Sequence, residues 1–332
     1  MTDPADAALA GLLEDLPEPD PVAVSAVAGR ARRVLRPTGA LARLDEIAAW
    51  VAGWQRTGSP SVSAPAAVVF AADHGVAAEG VSAYPLEVTA AMVKALAEDV
   101  ATASVLARHL GVALRTVDVG VGRPTGNIAT EPALDREEFT RCLEEGRAAV
   151  RTLEADLVVL GEIGIANTTA ASAVAASLWG GPVKGWVGRG SGVDDAGMSR
   201  KRRVVSAARA RAGRAGPGAV LRQVGGAELA AIAGAVVEAR ARSTPVILDG
   251  FAVTAAASAL EAARPGALAH CLAGHRSPEP GHGALLERLA LRPLLDLELR
   301  LGEGSGALLA LPLVRLACVA VTDVATFEEW GL

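Results

Sequence analysis

The stretch Leu157-Val158-Val159-Leu160-Gly161-Glu162-Ile163-Gly164 is a short apolar run that ends at a carboxylate between glycines. A run of this length predicts a buried β-strand, and the alanine-rich residues 170–178 that follow predict a helix. Four other apolar runs have the same setting, at residues 67–71, 114–119, 246–248 and 268–272. Strand followed by helix, repeated along a chain, predicts an α/β fold: a parallel Rossmann-like sheet with helices on both faces.

Each predicted strand ends in a polar or charged residue close to a glycine. The five ends carry Asp73-His74-Gly75, Asp118 with Gly120, Gly161-Glu162, Asp249-Gly250 and Gly274-His275. Ligands of open α/β sheets bind outside the carboxyl ends of the strands, so these residues predict a ligand-binding rim. Within that rim we expect Asp118 and Asp249 to have structural roles, because short acids at strand ends often cap turns.

The composition narrows the class of protein. The chain has 332 residues, 51% of them apolar, and a net charge of −5, which allows a large core and argues against a nucleic-acid partner. Three widely spaced cysteines, Cys142, Cys271 and Cys318, fit neither a disulfide framework nor a zinc site. No stretch of about 18 residues lacks both charge and glycine, and the acidic start is unlike a signal peptide. We therefore expect a cytoplasmic protein without a membrane span.

The start of the chain differs from its middle. Residues 1–37 are rich in Pro, Asp and Glu, with a short helical pattern at residues 22–35, and predict a mobile or peripheral arm. Apolar residues then recur at helical spacing over residues 41–54, which predicts a helix.

A single carboxylate between glycines, in Gly302-Glu303-Gly304-Ser305-Gly306, stands directly before an apolar helical stretch. Glycine lets a backbone approach a ligand closely, so Glu303 is a candidate catalytic or ligand-reading group. The alternative is a favourable charge at the N-terminus of the next helix. The nearby Arg300 either neutralises Glu303 or holds a substrate carboxylate.

Two glycine-rich segments are candidate anion sites. Residues 161–169 contain Gly164, Asn167 and Thr168 just before a predicted helix, whose first N–H groups bind anions; the alternative is an ordinary N-cap. The segment Gly188-Arg189-Gly190-Ser191-Gly192 precedes a helix with Lys201, one of three lysines. It resembles a phosphate-cradling loop, although no Gly-Lys-Ser/Thr closes it. Lys201 either meets a phosphate or lies on a solvated helix face.

The loop His275-Arg276-Ser277-Pro278-Glu279 offers Ser277 as a hydrogen-bond donor to a ligand. A metal site is disfavoured, because His275 and His282 lack helical pairing and a third ligand. The Gly302-x-Gly304-x-x-Ala307 match to the dinucleotide fingerprint lies too close to the C-terminus for a βαβ unit. We therefore expect neither a metal nor a cofactor.

Together these motifs resemble the nicotinate-nucleotide:dimethylbenzimidazole phosphoribosyltransferase family, from about residue 36 to the end. The matching segments, in order, are Ala71-Ala72-Asp73-His74-Gly75-Val76, Val81-Ser82-Ala83-Tyr84-Pro85, Gly161-Glu162-Ile163-Gly164 with Asn167-Thr168-Thr169, Gly225-Gly226-Ala227-Glu228, Pro245-Val246 with Asp249-Gly250-Phe251, His275-Arg276-Ser277, and Leu299-Arg300-Leu301-Gly302-Glu303-Gly304-Ser305-Gly306.

The resemblance implies an architecture, a partner and a reaction. It implies a homodimer with a large parallel α/β domain and a smaller helical domain built from both chain ends. The expected division is an arm at 1–35, the helical part of the small domain at 36–64, the large domain at 65–290, and the active-site loop with the C-terminal helix at 291–332. The implied reaction converts nicotinate mononucleotide and dimethylbenzimidazole into α-ribazole phosphate and nicotinate, for cobalamin synthesis.

The resemblance also implies site residues. Glu303 would be the general base and Glu162 a second active-site carboxylate. The groups expected around the phosphoribosyl and nicotinate moieties are Gly164, Asn167, Thr168, Gly190, Lys201, Ser277, Arg300 and Gly302. The segment with Ser82, Tyr84 and Leu86 would line the benzimidazole pocket, and Leu86 departs from the glutamine of many relatives. Two rival interpretations are a catalytically silent binding protein of the same fold and a nicotinamide-dependent oxidoreductase.

Overall fold

A five-stranded parallel sheet forms the centre of the protein, in the order β2-β1-β3-β4-β5. The computed structural model describes residues 3–332. The strands are β1 (Pro65–Ala72), β2 (Ala113–Gly120), β3 (Leu157–Ile163), β4 (Val246–Leu248) and β5 (Cys271–Ala273). The predicted α/β fold with a parallel sheet is confirmed.

Helices cover both faces of this sheet. They are α1 (Pro4–Leu12), α2 (Pro21–Ala31), α3 (Ala42–Gln55), α4 (Glu87–Ala97), α5 (Thr102–Leu110), α6 (Arg136–Arg151), α7 (Asn167–Trp179), α8 (Asp195–Ala212), α9 (Pro217–Val224), α10 (Ala227–Ala241), α11 (Phe251–Ala263), α12 (Pro280–Arg288) and α13 (Ser305–Thr322). Successive side chains of β1 alternate between two cores: Val68 and Phe70 face one, Val69 and Ala71 the other. A strand buried on both faces reads as a continuous apolar run, which is why the sequence revealed it.

The fifth strand begins later than the prediction of residues 268–272. Leu268 is buried, but it lies in a tight turn that is closed by the bond from the Cys271 N–H to its carbonyl. Gly266, at φ +85°, starts this turn. The apolar character of Leu268 therefore reflects packing from a turn, and only Cys271–Ala273 pair with β4.

The N-terminal arm packs against helices that flank the sheet, so of the two expected alternatives, a mobile or a peripheral arm, the structure favours the peripheral one. Ala5, Leu9 and Leu13 recur at helical spacing and are buried. The Asp6 carboxylate accepts a hydrogen bond from the Ala219 N–H, and Asp3 pairs with Arg222. Acidic residues thus attach α1 to α9, although their abundance in the sequence is also typical of a mobile segment.

Helices from the two chain ends pack together on the second face of the sheet. The Arg30 guanidinium of α2 donates to the carbonyls of Val321 and Val324, at and beyond the end of α13. Helix α13 is the one helix among residues 3–332 with the length and apolarity to cross a membrane, yet most of it is buried as a core helix. The division of the chain into separate domains stays a prediction.

Candidate active site

A cavity of about 520 Å³ opens at the carboxyl edge of the sheet. The strand order reverses between β1 and β3, which is the switch point where open α/β sheets bind ligands. The cavity is lined by residues that follow β1, β3, β4 and β5, and by the loop before α13. Three of the five predicted strand ends, those with Glu162, Gly250 and His275, therefore meet in one site, whereas Asp73-His74-Gly75 and Asp118 are not part of its lining.

Two carboxylates meet at this cavity because the loop before α13 lies flat against the end of β3. The Glu303 N–H donates to the Glu162 carbonyl over 3.0 Å. A Cβ on Gly161 would overlap the backbone of Glu303 and Gly304, so the close approach requires glycine there. Glu303 itself has φ +63°, between Gly302 and Gly304 that also have positive φ. A left-handed glutamate is strained, and such strain is typical of functional positions.

The Glu303 carboxyl is shielded from water at the N-terminus of α5. Its side chain accepts a hydrogen bond of 3.2 Å from the Ala103 N–H, and the residue is only 4% exposed. Burial raises the pKa of Glu303, the hydrogen bond from the Ala103 N–H opposes this increase, and the negative charge of Asp249 adds to it. The group is therefore a better proton acceptor than an exposed glutamate.

Glu162 lies at the end of β3, in the same cavity. Burial raises the pKa of Glu162 well above its usual range, and the charges of Asp249, Glu228 and Glu303 raise it further. The Asn167 side-chain amide donates to this carboxyl and opposes the increase. Asn167 therefore binds a carboxylate instead of capping α7, so the N-cap alternative is wrong for this residue.

Replacing Glu162 by glutamine should stabilise the substrate-free protein at high pH. The pKa of Glu162 is higher in the folded state than in the unfolded state, where it is near 4.5. Its contribution to folding stability is therefore complete at pH values below 4.5 and is lost as pH rises. Glutamine cannot ionise, so we expect a melting temperature about 2 °C higher than wild type at pH 8 and unchanged at pH 4. Differential scanning calorimetry measures it, with Glu137→Gln on the exposed face of α6 as control; a pH-independent shift would contradict it.

Asp249 holds the start of α13 and does not line the cavity. Its side chain accepts hydrogen bonds from the N–H groups of Gly304 (3.1 Å) and Ala307 (2.9 Å) and so caps α13. Asp118 likewise accepts from Gly120 and Val121. The structural roles expected for both aspartates are those seen.

A cationic subsite lies beneath the glycine-rich loop. The Lys201 ammonium donates to the Thr168 hydroxyl over 3.0 Å and is fully buried, so it does not lie on a solvated helix face. Burial lowers the pKa of Lys201 to about 8. Gly190 has φ +54°, and a Cβ there would lie 2.7 Å from the Thr168 hydroxyl. Glu279 holds the same loop by accepting a 2.8 Å hydrogen bond from the Gly190 N–H.

Most of the predicted site residues line this one cavity. They are Ser82, Tyr84, Glu162, Gly164, Asn167, Thr168, Gly190, Ser277, Arg300, Gly302 and Glu303. Lys201 lies just behind Thr168. Leu86 is not part of the lining: it immediately precedes α4, where Val88 and Met92, one turn apart, face the cavity instead.

Sequence reasoning missed several lining residues. Val88 and Met92 give the cavity an apolar wall, together with Val81, Ile165 and Phe251. The i, i+4 spacing of Val88 and Met92 indicates that they share one face of α4. The neighbouring sequence does not show what that face contacts. Glu279 was passed over because its role depends on a loop 89 residues away in the sequence.

Comparison with known proteins first identifies the class of protein to which the chain is similar. A family model described as phosphoribosyltransferase matches residues 16–332. Curated proteins named nicotinate-nucleotide–dimethylbenzimidazole phosphoribosyltransferase are similar over nearly the whole chain. That of Cereibacter sphaeroides is 45% identical over 97% of this chain and 95% of its own, and that of Mesorhizobium japonicum 47% over 96% and 95%.

A solved structure agrees with the sequence relatives. The crystal structure of nicotinate-nucleotide–dimethylbenzimidazole phosphoribosyltransferase from Thermus thermophilus superimposes with a TM-score of 0.89 at 42% identity, covering 94% of this chain and 98% of that one. The chain belongs to the nicotinate-nucleotide–dimethylbenzimidazole phosphoribosyltransferase family.

Proposed function

We propose that the protein transfers the phosphoribosyl group of nicotinate mononucleotide to 5,6-dimethylbenzimidazole or a related base, for the nucleotide loop of cobalamin. The products are α-ribazole 5′-phosphate and nicotinate. The observation that carries this proposal is the pairing of Glu162 and Glu303 in a cavity that also has a buried cation and an apolar wall. The family's relatives are named for this activity.

The cavity offers a suitable environment for each part of the two substrates. Lys201, next to Gly190, would hold the phosphate, since a buried ammonium favours an anion. Val81, Val88 and Met92 would contact the flat aromatic base. The carboxylates would then lie near the sugar, where positive charge develops as the glycosidic bond breaks.

The reaction needs one general base from the protein and no general acid. A ring nitrogen of the benzimidazole attacks the ribose C1′ as the bond between C1′ and the pyridinium nitrogen breaks. The electron pair of the broken bond stays on the pyridinium nitrogen and neutralises the departing nicotinate ring. Attack from the opposite side converts the β linkage into α. The second ring nitrogen must lose its proton, which we assign to Glu303 because burial raises the pKa of this carboxyl. The scheme calls on no metal or redox cofactor.

Release of nicotinate in the presence of both substrates tests this proposal. Protein incubated with nicotinate mononucleotide and dimethylbenzimidazole should form nicotinate and the α-riboside in equal amounts, as measured by liquid chromatography. Binding without turnover would favour the silent binding protein instead. Both active-site carboxylates are present, which argues against that alternative, and no complete dinucleotide fingerprint supports an oxidoreductase.

We expect modest selectivity among acceptor bases. The wall offers apolar contact to the two methyl groups of dimethylbenzimidazole, worth about 0.8 kcal/mol each, so plain benzimidazole should be about tenfold poorer in kcat/KM. Leu86→Gln, which introduces the glutamine that the family resemblance implies at this position, tests whether Leu86 relaxes base choice. If Leu86 has that role, the variant should increase the preference for dimethylbenzimidazole over adenine. An unchanged ratio of the two kcat/KM values would mean that the apolar wall selects the base.

The protein's partners and location are part of the same proposal. We propose a homodimer, because α13 leaves Leu309, Leu316 and Val319 exposed on a helix that is otherwise buried, and such patches mark association surfaces. A cytoplasmic location would match the supply of a biosynthetic nucleotide substrate.

A further inference from the structure

Ser277 has a hydrogen-bond partner inside the protein that determines what it can offer to a ligand. Its hydroxyl oxygen lies 3.0 Å from His282 Nδ1, and its own N–H donates to the same nitrogen over 3.0 Å. His282 is fully buried in α12, and Ser277 lines the cavity.

The proton positions in this cluster follow from the backbone. A backbone N–H is always a donor, so Nδ1 of His282 must be the unprotonated nitrogen of a neutral ring. The proton then sits on Nε2, which donates to the Thr254 hydroxyl over 3.1 Å. Burial lowers the pKa of His282 to about 3, helped by His275 and Arg276, so the ring stays neutral at physiological pH.

Because Nδ1 carries no proton, the Ser277 hydroxyl can only donate in this contact, and it shares the nitrogen's one lone pair with the Ser277 N–H. The serine then has only lone pairs left for the cavity, contrary to the donor role expected from the sequence. Phosphate and nicotinate carboxylate oxygens are acceptors and cannot pair with it. At neutral pH the ribose hydroxyls are the donors that nicotinate mononucleotide carries.

The position of Ser277 selects the sugar over the aromatic base. Glu279, two residues further along the same loop, accepts the N–H of Gly190 in the proposed phosphate loop. Ser277 is thereby attached to the phosphoribosyl side of the cavity, whereas Val81, Val88 and Met92, which we assign to the aromatic base, belong to α4 and the segment before it. We infer that His282 is a positioning residue that turns Ser277 into an acceptor for a ribose hydroxyl of the substrate, an inference that rests on the proposed function.

The test compares nicotinate mononucleotide with its 2′-deoxy and 3′-deoxy analogues by calorimetric titration without any base. Wild type should bind one deoxy analogue roughly tenfold more weakly than the parent. Ser277→Ala and His282→Gln should bring that ratio close to one. His282→Asn should retain the ratio, because an asparagine oxygen can replace Nδ1 whereas glutamine reaches toward the position of Nε2. Inorganic phosphate should bind all four proteins equally.

The possible outcomes separate this inference from the function on which it rests. If nicotinate mononucleotide does not bind wild type, the proposed function fails and the inference with it. If it binds but the deoxy ratio is the same in wild type and Ser277→Ala, or if Ser277→Ala weakens only phosphate, the inference alone fails. Nitrogen-15 NMR of wild-type His282 needs no variant: we expect a proton on Nε2 alone down to pH 5, and a proton on Nδ1 would overturn the inference.

Discussion

Glu303→Gln is expected to lower turnover by about 10²–10⁴-fold while nicotinate mononucleotide still binds. Glutamine has nearly the same size, and its side-chain oxygen can still accept the Ala103 N–H that holds Glu303. What it loses is the ability to take the proton from the attacking base. The measurement is kcat from released nicotinate, with the substrate Kd from titration calorimetry.

Matched variants separate proton transfer from loop positioning. Glu303→Ala removes the base and also leaves the Ala103 N–H without its partner, so it should lose turnover and substrate affinity together. Glu137→Gln, on an exposed residue of α6, should match wild type. Turnover of Glu303→Gln near the wild-type value would show that Glu303 only maintains the loop and would remove the base assignment.

Lys201→Met is expected to weaken binding of nicotinate mononucleotide by roughly 100-fold, with a smaller change in kcat. Methionine fills a similar volume in the buried site, but the ammonium that donates to the Thr168 hydroxyl is gone. Lys184→Met, which replaces an exposed lysine before α8, is the control. An equal loss in both variants, or none in either, would contradict the phosphate assignment.

The same lysine predicts a pH dependence in wild type. Its pKa is lowered to about 8, so the side chain is charged below that pH and progressively neutral above it. Phosphate favours the charged form, so KM for nicotinate mononucleotide should be constant up to about pH 8 and then rise. In Lys201→Met this rise should be absent, and its persistence would point to another titrating group.

Local sequence patterns predicted the sheet and the position of the site because both depend on periodicity and strand order. The apolar runs around Val68 and Val158 are buried on two faces, so their pattern needs no knowledge of distant residues. The packing of the arm and the start of the fifth strand were not predicted, for the opposite reason. Asp6 binds the N–H of Ala219, and Leu268 is held in a turn by the N–H of Cys271. Composition does not reveal either contact.

What the sequence determined by itself is the chemistry at each strand end: a carboxylate at Glu162, a glycine-flanked carboxylate at Glu303, a glycine loop at Gly190. Residue type and spacing along one segment are enough for that, because a side chain's donors, acceptors and charge are intrinsic to it. Only the tertiary structure decided how those groups behave. It raised the pKa of the two glutamates by burial beside Asp249, buried Lys201 under Thr168, and turned the Ser277 hydroxyl toward His282. Desolvation and hydrogen-bond direction depend on neighbours that are far apart in the chain, and the fold alone brings those neighbours together.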